Sequence, residues 1–80
     1  MTVEKDVTRT AVSIIWDPAL VQGDTVEICM TNPDNEESLS VKQDSNDGQS
    51  VITYPTDYHG KTDIVVSGSE GGEDSGQIEV

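Results

Sequence analysis

Asp24-Thr25-Val26-Glu27-Ile28-Cys29-Met30-Thr31 is the stretch that decides the fold class. Val26, Ile28 and Met30 alternate with Thr25, Glu27, Cys29 and Thr31, and a period of two is what a strand shows when one sheet face is buried and the other is wet. A helix would need apolar residues three and four apart. Gln22-Gly23-Asp24 turns the chain into this strand. Asn32-Pro33-Asp34-Asn35 turns it out again, because Pro fixes φ and the Asx side chains bond to nearby backbone.

The same rhythm recurs on either side. Thr10 to Trp16 puts Val12, Ile14 and Trp16 on one face with Ala11 and Ile15 opposite, and closes at Asp17-Pro18. Val3 and Val7 extend it backwards. Downstream, Ser38 to Gln43 is predicted as a strand with Leu39 and Val41 inward. Asp44-Ser45-Asn46-Asp47-Gly48 tolerates positive φ, which predicts a tight hairpin into a strand over Gln49 to Tyr54. Thr62 to Ser67 carries Ile64 and Val66 on one face and is expected to pair, across Gly68 to Gly76, with Gln77 to Val80. Ile78 and Val80 complete that face. Six or seven strands with turn chemistry between them, and no repeat or linker, make residues 1–80 a single all-β domain, a sandwich or small barrel. Ile28, Ile64 and Val66 are expected at the centre of its core.

Charge bounds the partners. Lys5, Arg9, Lys42 and Lys61 face 16 Asp and Glu, a formal net charge of -12, which repels nucleic-acid phosphates and anionic membranes. Most carboxylates have no basic partner and depend on solvent or screening ions to stay apart. No basic segment followed by an apolar run opens the sequence and no stretch approaches the length of a bilayer span, so a soluble product without a secretory signal is expected. Cys29 is the only cysteine, which excludes an internal disulfide and a cysteine-based zinc site. Between Ile28 and Met30 it reads as a small, partly buried hydrophobe.

Catalytic chemistry finds little to work with. His59 is the only histidine and has no evident nucleophile or acid to serve, and no nucleophile elbow or phosphate-cradling glycine loop is present. No enzyme is expected. Asp44 to Gly48 imitates the start of an EF-hand loop, yet its glycine falls one position early and Pro55 stands where the bidentate Glu belongs. Glu70, Glu73 and Asp74 sit on a glycine-rich segment where three carboxylates suit calcium, against the plainer reading of a solvated hairpin loop. No other cofactor is indicated. Trp16, Tyr54 and Tyr58 are the only aromatics in a chain without Phe. Trp16 is read as an anchor in the core or at an interface, and Tyr58 as a corner tyrosine whose hydroxyl bonds backbone.

The segment Asp57-Tyr58-His59-Gly60-Lys61-Thr62-Asp63-Ile64-Val65-Val66-Ser67-Gly68, with Ser75-Gly76-Gln77-Ile78-Glu79-Val80, resembles the last two strands of immunoglobulin-like bacterial and viral modules. That resemblance implies a small immunoglobulin-like β-sandwich of six to seven antiparallel strands, without the paired cysteines of antibody domains. The acidic, Lys-poor, Phe-free composition is similar to that of proteins from extreme halophiles. Together these features resemble small capsid-decoration or tail-associated proteins of tailed viruses that infect haloarchaea. The implied role is a non-enzymatic structural protein located on the virion and adapted to high salt. Its partners would be the major capsid or another virion structural protein, or further copies of itself as a homo-oligomer. The charge-free strand holding Val12, Ile14 and Trp16 belongs either in the sandwich interior or at such an interface, with Trp16 as anchor. Two other roles compete: an acidic nucleic-acid mimic that blocks a DNA-binding protein, and calcium-dependent adhesion through Glu70, Glu73 and Asp74.

Overall fold

The computed structural model describes residues 1–80 as seven strands: β1 (Thr2–Asp6), β2 (Ala11–Ile15), β3 (Thr25–Asn32), β4 (Glu37–Ser45), β5 (Gln49–Thr53), β6 (Lys61–Gly68) and β7 (Glu73–Glu79). They form two antiparallel sheets, β1-β2-β5 and β4-β3-β6-β7. The fold is an all-β sandwich of seven strands, with the fourth strand on the sheet of β3, β6 and β7.

One core lies between the sheets. The predicted inward face of β3, Val26, Ile28 and Met30, is buried, and so are Ile64 and Val66 on β6 and Val12, Ile14 and Ile52 from the facing sheet. Trp16, Val21 and Tyr54 close the ends of this layer, and Met1, Val3, Leu39, Ile78 and Val80 pack around it. Thr62 is the one fully buried polar side chain, and its hydroxyl donates to the Ile78 carbonyl at 2.8 Å.

Four expectations are corrected. Val3 and Val7 do not prolong β2. Asp6 caps a 3-10 turn over Val7–Arg9 by accepting from the Arg9 amide, and Thr10 takes a left-handed conformation at φ 46, so β1 folds back on β2 as a hairpin. The second correction concerns β4 and β5, which are not a hairpin. β4 pairs with β3 and β5 with β2, so residues 46–48 carry the chain from one sheet to the other. Third, Val41 points outward, paired with Cys29, while Ser40, Lys42 and Asp44 occupy the inward rows opposite Met30, Ile28 and Val26. A bulge between Met30 and Thr31 leaves Leu39 without a partner and shifts the register by one, and such a slip exchanges the two faces of a strand. Last, β7 begins at Glu73, so the turn after β6 is far shorter than a loop running to Gly76.

That turn is short because a second segment supports it. Gln22 bonds Gly71 and Glu70 through backbone groups, and Gly68 lies so close to the Gln22 backbone that a Cβ there would collide with it. The β2–β3 connection and the β6–β7 turn therefore form one end of the sandwich. Residues 46–48 join them, since Asn46 bonds the carbonyls of Val21, Gly23 and Asp24.

Candidate functional site

The residues singled out for an interface lie inside the molecule. Val12 and Ile14 are fully buried and Trp16 nearly so, its indole Nε1 donating to Asn46 Oδ1 at 2.9 Å. Of the two readings open to this strand, interior or interface, the interior one applies. The interface assignment of Val12, Ile14 and Trp16 is corrected, because a side chain without exposed surface cannot meet a partner.

Apolar side chains left outside are few. On the outer face of β1-β2-β5, Ile15 is 55 % exposed and Val51 37 %, beside the uncharged Ser13, Gln49 and Thr53. A shallow depression of about 200 Å³ lies there, floored by Ser13, Ile14, Ile15, Gln49, Ser50 and Val51. The other sheet exposes Val41 at 56 %, in one row with Cys29 and Val65, which are half-buried. Two depressions of about 310 and 320 Å³ run along this second sheet. One is lined by Glu27, Gln43 and Ser67 among others, the other by Asp63, Ser75 and Gln77. All three are gaps between side-chain rows on open sheet faces, a different shape from the concave, mostly apolar cavities that enclose small ligands.

On the side where β4 overhangs β5, the sheets are joined by polar side chains. Ser50 Oγ donates to Asp44 Oδ2 at 2.6 Å, the Ser45 amide donates to Asp44 Oδ1 at 2.8 Å, and Lys42 Nζ stands 3.5 Å from the same carboxylate. These donors, the Ser50 hydroxyl foremost, hold the Asp44 carboxyl below its ordinary value of 3.8. Lys42 Nζ also donates to the Val51 carbonyl at 2.8 Å. At the opposite end, Tyr58 Oη donates to the Lys61 carbonyl at 2.6 Å, three residues onward, so the corner tyrosine does bond backbone. Its hydroxyl pKa is raised by desolvation and by the nearby Asp34 and Glu37. Cys29 donates its thiol to Glu27 Oε1 at 3.4 Å, and burial together with that carboxylate pushes its pKa up, away from a reactive thiolate.

The acidic trio is not assembled. Glu70 lies in the turn, Glu73 and Asp74 are successive residues of β7 and so face opposite sides, and Asp74 accepts from the Asp17 amide at 3.4 Å. No group of three His, Cys, Asp or Glu converges anywhere in the chain. Comparison with protein-family models, curated proteins and solved structures yields no match. No helix is long and apolar enough to cross a membrane.

Carboxylates fringe both ends of the sandwich. The β2–β3, β4–β5 and β6–β7 connections carry Asp17, Asp24, Asp47 and Glu70 with no Lys or Arg, and the other end carries Asp34, Glu36, Glu37 and Asp57. What composition alone did not reveal is the outer face of β2 and β5. Its signal was present in the sequence as Ile15 and Val51, apolar residues at the off-phase positions of strands whose in-phase positions form the core.

Proposed function

We propose that the chain is a non-enzymatic assembly module adapted to strong salt, of the kind that decorates a virion, and that it docks on a larger structural protein through the outer face of β2 and β5. The observation that carries this reading is the company Ile15 keeps. On a molecule of net charge -12, the face around Ile15 and Val51 is apolar or neutral along both β2 and β5, with Glu4 of β1 at its rim beside Ser13. Depletion of charge around an exposed apolar centre is what distinguishes the middle of an interface from the rest of a surface. The fringe of carboxylates at both ends supports the salt-adapted part of the proposal, since such groups stay hydrated and screened in brine.

Co-sedimentation of the protein with particles or shell protein in molar salt tests this. Ile15→Glu leaves the core untouched and should abolish binding; binding that survives Ile15→Glu would move the docking site elsewhere. A second reading, mimicry of nucleic acid, draws on the end bearing Asp17, Asp24, Asp47 and Glu70 without a basic residue. The equal fringe at the opposite end counts against it, because a mimic needs its charges on one face. Inhibition of a DNA-binding protein, lost when Asp47 and Glu70 are neutralised together, would favour it instead.

A further inference from the structure

We infer that β5 is a self-pairing edge, through which two copies of this chain join the sheets β1-β2-β5 into one continuous sheet, and that Lys42 latches this edge shut in the single molecule. The inference goes beyond docking on a partner, because it needs only this chain.

Trp16 N donates to the Gly48 carbonyl and Tyr54 N to the Thr10 carbonyl, so the residues of β5 in phase with Gly48 and Tyr54 turn their backbone groups toward β2. Gln49, Val51 and Thr53 consequently aim theirs away from the sheet, at its open edge, where the Gln49 amide donates to Asp47 Oδ1 at 3.3 Å. Every sandwich of this kind has such edges, and proteins blunt them with charged side chains, bulges or inward-pointing Lys. The other three edge strands follow that rule. β1 carries Glu4, Lys5 and Asp6; β7 carries Glu73, Asp74 and Glu79; β4 carries Glu37, Lys42 and Asp44 as well as its bulge. β5, Gln49-Ser50-Val51-Ile52-Thr53, has no charged residue at all.

The occupant follows from this chemistry. An antiparallel copy centred on Val51 sets Val51 against its own mate, Gln49 against Thr53 and Ser50 against Ile52. No carboxylate meets another, which is rare on a surface of this charge. The two Val51 side chains would then lie together on the outer face with Ile15 of each copy beside them, extending the apolar strip across the two-fold axis. Any register that brings β5 against the edge of β1, β4 or β7 instead places it among charges. What stands in the way at its centre is the Lys42 ammonium, which already donates to the Val51 carbonyl, while at one end the longer Gln49 amide bond to Asp47 must also open. Pairing requires Lys42 to swing off, which its partly exposed, flexible stem permits.

Sedimentation analysis of the protein alone in molar salt, at micromolar to millimolar concentration, tests the inference. Wild type should reach a monomer–dimer equilibrium. Lys42→Ala should tighten it by about tenfold, the scale of one hydrogen bond to a charged group. Val51→Lys, which sets two like charges face to face, should leave only monomer while the melting transition persists, separating lost pairing from lost folding. Amide exchange should slow at Val51 and Thr53 on dimerisation and not at Glu73 or Glu79. Wild type and Lys42→Ala both remaining monomeric at millimolar concentration would overturn the proposal. A dimer indifferent to Val51→Lys would also overturn it. Either result leaves docking through Ile15 intact, since that is read with a second protein present.

Discussion

Trp16 meets two constraints at once: its ring fills the core, and its Nε1 reaches Asn46, which also ties down the carbonyls of Val21 and Gly23. Trp16→Ala is therefore expected to cost about 3–5 kcal/mol in denaturant unfolding of the isolated protein. Asn46→Ala should cost about 1–3 kcal/mol, because it strands a buried indole N–H. Ile64, fully buried on β6, should lose about 2–5 kcal/mol on replacement by Ala, and a loss below roughly 1 kcal/mol would mean its face is reversed. Asp44 gives a pH signature. Its folded carboxyl titrates below the ordinary value of 3.8, so its contribution is present in full above that value and is lost as pH falls through the lower folded pKa. Asp44→Asn should flatten the acid limb of the stability curve, and an unchanged limb in acid titrations followed by circular dichroism would remove Asp44 from that role. At this scale the sequence was informative but ambiguous. The charge-free run ending in Trp16 has the same composition whether it faces a core or a partner, and only the second sheet lying over it decides.

Among the elements, β3 and β6 were legible because both alternate cleanly and both sit centrally, where each neighbour reinforces the register. β4 misled because its inward positions are Ser40, Lys42 and Asp44 while the apolar Val41 faces water, an inversion produced by the bulge at Leu39. Turn chemistry at Asp44 to Gly48 identified a reversal of direction correctly. It carries no information on whether the next strand stays in the same sheet, and here β5 leaves for β2. The end of β6 shows how a backbone contact fixes an element boundary. Gly68→Ala would drive a Cβ into the Gln22 backbone, so it should loosen the β6–β7 turn and release the β2–β3 connection, with faster amide exchange at Gln22 and Glu70. Exchange at those two amides unchanged from wild type would show that the contact is not needed.

For the whole molecule, 16 carboxylates against four basic side chains must repel in dilute buffer, and the Debye length falls from about 10 Å at 0.1 M salt to about 3 Å at 1 M. The melting midpoint should rise from low to molar salt, and a flat or falling midpoint would remove the case for adaptation to brine. The exchange of strands between sheets has a consequence in time. β3 finds β4 through a short turn, and β6 finds β7 the same way, whereas β5 must reach back past the whole of β3 and β4 to find β2. Closing that long loop costs chain entropy before any contact repays it. The hairpins of the larger sheet should thus appear early on the folding pathway and β5 should dock late, so that Ile64→Ala mainly slows refolding and Ile52→Ala mainly hastens unfolding. Until β5 docks, its uncharged backbone is open on both sides, and a newly made chain is exposed to pairing errors during that interval.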